Sequence, residues 1–158
     1  MDRQDRSSDG ASQRDGRGTS RPLGEDVLDR GLVFQGWLGI AFWMAVGLLL
    51  EGLLGYKSPT YVADTQRREL FRLAHAHGAL LNLLLVGAGL CGRYAKLPRA
   101  AGLSLRIGAI LMPVGFLLAG VWHSEGDPGV AILLVPAGAL LVIFGSVSIA
   151  IAWRRRAD

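Results

Sequence analysis

Cysteine is almost missing from this chain: one residue in 158, which excludes an internal disulfide and any cysteine-built metal cluster. Cys91 reads as a small apolar residue near a helix end. Histidine is scarce too, with three in all, so a metal cage of several imidazoles has few donors to draw on. Charge makes up 19% of the chain and is confined to short stretches, leaving long runs with almost none. The net charge of +4 calls for no nucleic acid, because the basic residues bracket apolar runs in the manner of membrane topology signals. Large apolar residues, in turn, are nearly absent from residues 1–30, a segment of Arg, Asp, Ser and Gly. That composition cannot bury a core and predicts a disordered tail. It is also unlike a signal peptide, since the first apolar run begins only near residue 32 and is too long.

What remains is strongly apolar. Hydrophobic residues make up 51% and glycine contributes 22 positions, in a length that fits one domain. Four runs stand out over residues 31–158: 32–54, 70–92, 103–122 and 130–153. Each has about the 20 residues needed to cross roughly 30 Å of hydrocarbon. Backbone groups in lipid must bond internally, so these runs are predicted to be helices. The expected fold is all-α, an integral membrane four-helix bundle running up-down-up-down. Pro113 and Pro136 fall inside spans and are expected to kink them. Arg106, near the start of the third span, can snorkel to the surface.

Orientation follows from Lys and Arg. Arg93, Lys96, Arg99 and Arg106 surround the second link, Arg154, Arg155 and Arg156 follow span four, and the first 30 residues hold six Arg. The other side has Lys57, Arg67, Arg68 and Arg72 in one link and none in His123–Gly129. Both termini are therefore predicted to be cytoplasmic, in a membrane taken to be a bacterial cytoplasmic membrane. This topology gathers Glu51, His75, His77 and His123 in the opposite leaflet.

The second span carries the chemistry. Ionisable groups inside a span are costly and are functional candidates by default. Residues seven apart return to almost one helical face, so His75, Gly78, Ala79, Asn82 and Gly89 form a polar stripe with little bulk. His75 and His77 lie about 200° apart on a helix, which disfavours one zinc ion shared between them. A haem needs one histidine and a flat, glycine-lined slot, with Arg67, Arg68 or Arg72 available to its propionates. A plainer reading has Gly78, Gly87 and Gly89 serving close helix packing, Asn82 bonding across helices and His75 bonding to Glu51. His77 is a rival ligand or an interface residue. His123 beside Trp122 reads as an aqueous loop histidine, and Asp127-Pro128-Gly129 as a turn that opens span four.

The run Arg72-Leu-Ala-His75-Ala-His-Gly78-Ala-Leu-Leu-Asn82 resembles the second span of the small four-helix membrane haem isomerases typified by styrene oxide isomerase. His75-Ala-His-Gly78 is also similar to the His-x-x-Gly of the related hydroxylaminobenzene mutases. The likeness spans about residues 31–152. It implies haem b held by His75, at a subunit contact in a homo-oligomer, a trimer. It also implies ferric iron acting as a Lewis acid on a small lipophilic epoxide, and Asn82 beside the substrate. Asn82 follows His75 by seven positions where those enzymes have six. Val114 and Trp122 stand where they have an aspartate and a tyrosine. The resemblance thus points to an isomerase of the epoxide-to-carbonyl type. On this reading His75 is the expected metal ligand with His77 as its rival, Gly78 and Arg72 are expected in the cofactor site, and Asn82 and Glu51 are the catalytic candidates. An electron-transfer cytochrome using His75 with His123 or with a residue of a second subunit, and a cofactor-free scaffold or accessory subunit, are the alternatives.

Overall fold

The computed structural model describes residues 29–92, 94, 97–124 and 126–157. The tail expected over residues 1–30 lies outside this range apart from Asp29 and Arg30, as do Arg93, Lys96 and Glu125. The helices are α1 (Arg30–Gly55), α2 (Pro59–Val62), α3 (Thr65–Cys91), α4 (Arg99–Val121) and α5 (Leu134–Ala157). A single 3-10 turn, Val130–Leu133, leads into α5. Four of these are long and apolar enough to cross a membrane. The chain is an all-α membrane bundle, as the four apolar runs predict.

Two aspartates set where the first two spans start. Asp29 accepts from the backbone N–H groups of Gly31 and Leu32, both at 3.1 Å, so it caps α1. Asp64 accepts from Arg67 N–H at 2.9 Å and caps α3. The turn before α5 is built as its Asp-Pro-Gly sequence suggests. Asp127 accepts from Gly129 N–H at 2.8 Å, and Gly129 takes a φ of 71° that a side chain would strain. The two prolines behave differently. Pro113 is fully buried inside α4 and deprives the carbonyl four residues back of its donor. Pro136 is the third residue of α5, close behind the 3-10 turn, so it stands near the start of the fourth span and not in its middle.

The spans pack in chain order: α1 on α3, α3 on α4, and α4 on α5. In lipid, close packing takes the place of the hydrophobic drive between helices, and glycines make it possible. On the α1–α3 seam a Cβ added to Gly36 would lie 2.6 Å from Val86 Cγ2. One added to Gly39 would strike the Asn82 amide, and one on Gly47 the His75 ring. From the other side, Trp43 fills the space above Gly78. On the α4–α5 seam Gly108 meets Val142, Gly138 meets Met112, and Gly145 meets Leu105. Leu32, Leu81, Leu85, Ala88, Leu105 and Ala109 form the buried centre. At the end of the bundle that carries the chain's basic link, Arg106 Nε donates to Gln35 Oε1 at 2.8 Å, and Gln35 Nε2 returns a bond to the Arg106 carbonyl at 3.1 Å. This exchange ties α1 to α4 while Arg106 stays exposed.

Candidate functional site

At the end of the bundle away from that basic link, a cavity of about 830 Å³ opens between the last turns of α1, the short α2 and the first turns of α3. Its apolar part comes from Met44, Leu48, Leu54 and Leu73. Its polar part is Glu51, Tyr61, Arg68, Glu69, Arg72 and His75. The volume falls within the range of small-molecule and cofactor pockets, about 300–1,000 Å³.

His75 stands half-buried in this wall. Its Nδ1 lies 2.7 Å from the carbonyl oxygen of Trp43. A carbonyl only accepts, so Nδ1 carries the proton and the lone pair is on Nε2. Helix α1 can come close enough to make this bond because residue 47, beside the ring, is glycine. The expected bond from His75 to Glu51 is not made: the Trp43 carbonyl takes Nδ1, and Glu51 lines the cavity separately.

The other candidates fall into two groups. Arg72 lines the cavity, with Nη1 3.3 Å from Glu69 Oε1. Arg68 lines it as well, its Nη1 donating to the Val62 carbonyl at 3.0 Å. Arg67 does not join them. Its Nε donates to the Gly120 carbonyl at 3.2 Å, which turns it toward α4. Gly78 and Asn82 are also elsewhere. The stripe expected as an open slot is closed by α1: Trp43 covers Gly78, and Asn82 is 4% exposed against Gly39. Asn82 Nδ2 donates to the Gly78 carbonyl at 2.8 Å within its own helix. The correction has one physical cause, that a row of small residues invites the bulk of the neighbouring helix. Gly87, expected in the same packing role, has no atom within 4 Å of an added Cβ and faces open space.

His77 lies across the helix from His75. Its Nδ1 is 2.9 Å from the Leu73 carbonyl and its ring sits 5.1 Å from Phe116 of α4. It does not line the cavity.

His123 corrects its expectation. The side chain is 6% exposed, and its Nε2 is 2.9 Å from Asp64 Oδ2, tying the end of α4 to the cap of α3. Its Nδ1 is buried without a partner among the described residues. The Arg67 backbone N–H, helped by the His123 bond, holds the Asp64 carboxyl below the usual carboxylate range. Among the described residues no second histidine reaches the cavity, and no three His, Cys, Asp or Glu side chains converge as a metal cage.

No family model, curated protein or solved structure matches this chain. The site therefore rests on its own geometry.

Two polar contributors were missed in the sequence, Glu69, which pairs with Arg72, and Tyr61. Tyr61 is 4% exposed, stacks on Phe71 at 6.5 Å and forms part of the cavity wall. Burial pushes its phenol up, against the pull of Arg68 and Arg72, so it stays protonated at neutral pH. The Ser58-Pro59 start of α2 is a helix-opening signal that would have located it.

Proposed function

We propose that the cavity between α1, α2 and α3 binds haem b through His75 Nε2, and that the protein is an isomerase-like membrane enzyme for a small lipophilic epoxide. The observation that carries this reading is the bond from His75 Nδ1 to the Trp43 carbonyl. Metal-ligating histidines commonly donate their second nitrogen to a carbonyl, which fixes the ring and raises its basicity. The residues present fit the group. One imidazole has a free Nε2, the apolar side chains suit a porphyrin face, and Arg68 and Arg72 suit its carboxylates.

When bound, the haem supplies a ferric Lewis acid with an open coordination position. The chain's own residues supply the rest. His75 holds the cofactor at one fixed ring orientation. Arg68 and Arg72 anchor it at the membrane surface. Tyr61, neutral and half enclosed by Phe71, offers its phenolic O–H to an oxygen in the cavity. Glu51, in the same wall, would take up and return any proton that moves within the cavity, since an isomerisation leaves no net proton behind. Asn82 keeps α1 and α3 in register rather than orienting substrate. The cytoplasmic termini that accompany this reading draw support from the Arg-rich C-terminus, and the trimer rests on the resemblance.

A cytochrome with both axial ligands from one chain loses support, because His123 Nε2 is taken by Asp64 and His77 packs on Phe116; one that draws its second ligand from another subunit is distinguished by the spectrum below. The cofactor-free scaffold has one observation in its favour, the glycine stripe filled by α1. The test is incubation of haem-loaded protein with an aryl or alkyl epoxide, following carbonyl product by gas chromatography. Product formation that requires haem and a high-spin ferric spectrum supports the reading. A low-spin spectrum with no product supports the cytochrome.

A further inference from the structure

A second cavity, about 510 Å³, lies between the later turns of α3 and α5. It exists because both helices lean on α4 and not on each other. Leu80, Leu84, Gly87 and Cys91 form one wall, Ser146 and Ile149 the other. Gly87 contributes no side chain, and nothing in the described structure fills the space it leaves.

Three features define what fits. The first is length. From Leu80 to Cys91 a helix rises about 16 Å at 1.5 Å per residue, about half of a 30 Å hydrocarbon layer. The groove therefore runs through one leaflet, the reach of one acyl chain. The second is its end. On α5, Ser146, Ile149 and Trp153 are spaced three and four residues apart and share a face. Trp153 meets Tyr94 at 6.3 Å just past the end of α3, an aromatic pair of the kind that sits at headgroup level. The third is charge. Arg154 and Arg155 follow Trp153 immediately, off the face of Ser146 and Ile149 but at the same membrane surface, and both are exposed, so their long side chains can reach a headgroup there.

We propose that this groove is a binding site for an anionic phospholipid of the leaflet at the basic end. One acyl chain lies along Gly87 and Ile149, and the phosphate sits by Arg154 and Arg155 beyond the Tyr94–Trp153 pair. A basic residue near the surface favours an anionic headgroup roughly fivefold. The site is separate from the His75 cavity, which lies toward the other end of α3 and is walled by α1 and α2 where this groove is walled by α5.

Native mass spectrometry of the full detergent-purified chain, given phosphatidylglycerol or phosphatidylcholine, tests it. The expected result is retention of one phosphatidylglycerol in preference to phosphatidylcholine. Gly87→Phe fills the groove and abolishes retention. Arg154→Gln with Arg155→Gln keeps lipid but loses the preference, roughly fivefold per arginine. Equal lipid on wild type and Gly87→Phe overturns the proposal. So does a lipid-free dimer that Gly87→Phe dissociates, since a second copy would then occupy the groove. Because Gly87→Phe tests packing as well, the wild-type protein gives a second measurement. Cys91 is the only cysteine, and phosphatidylglycerol is expected to slow its alkylation by N-ethylmaleimide more than phosphatidylcholine does. An unchanged alkylation rate also overturns the proposal.

Discussion

His75 gives its Nδ1 proton to the carbonyl of Trp43 at 2.7 Å, while the Trp43 ring covers Gly78 one turn further along the same seam. One residue of α1 thus fixes the histidine with its backbone and closes the glycine stripe with its side chain. The stripe and the candidate ligand are not one pocket. The stripe is a helix contact, and the histidine stands at the edge where that contact opens into the cavity.

A first prediction concerns that seam. Gly78→Ala drives a methyl into the Trp43 ring and is expected to destabilise the protein by about 1–3 kcal/mol, as overpacking does. In a Trp43→Leu background the same change costs less, because the obstructing ring is gone. Unfolding in detergent by denaturant, measured for both singles and the double variant, checks the coupling. Additive effects would mean that Trp43 and Gly78 do not share the contact.

Gly47 sets the place of His75. Gly47→Leu puts a side chain where the imidazole now lies, so α1 must move away or the ring must turn. Haem affinity is expected to fall by at least about tenfold, the equivalent of one hydrogen bond to a fixed ligand. Titration of the apoprotein with hemin, read at the Soret band, measures it. Gly52→Leu serves as the control, since an added Cβ there meets nothing within 4 Å.

The arginines are expected to act additively on affinity and hardly at all on ligand identity. Arg68→Gln and Arg72→Gln each remove a charge-assisted partner worth about 1.5–3 kcal/mol when well placed. Each is predicted to weaken hemin binding about tenfold or more while leaving the position of the Soret band unchanged. Arg67→Gln should leave hemin affinity unaltered, because its guanidinium is turned to the Gly120 carbonyl.

Much of the architecture was legible from hydropathy alone. The four runs match the helices with shifts of a few residues at their ends, because the cost of unpaired backbone in lipid leaves few alternatives. The site was less legible. A run of small residues signals an approach, yet not which bulky residue will fill it. The spacing of Gly36, Gly39, Trp43 and Gly47 at three and four positions was the available signal for the α1 face. His123 looked like a loop residue because its partner Asp64 comes from a distant link, and only folding brings the two together. Tyr61 was overlooked because a four-residue helix leaves almost no periodicity to read.

Asp64 carries a pH dependence with a definite sign. Its folded carboxyl is held below the ordinary value of about 3.9, so its contribution is fully present above that value. It is lost as pH falls through the lowered folded value. The melting temperature of wild type is predicted to exceed that of Asp64→Asn at neutral pH, with the gap narrowing below about pH 4. A gap that stays constant to pH 2 would contradict the role given to the Arg67 N–H and His123 bonds.

The visible spectrum of detergent-purified, hemin-loaded protein tests the central claim most directly, with wild type measured beside His75→Ala and His77→Ala. The account predicts a high-spin ferric Soret band in wild type and His77→Ala, and its loss in His75→Ala with partial return on adding imidazole. A full Soret band in His75→Ala, or its loss only in His77→Ala, would contradict it.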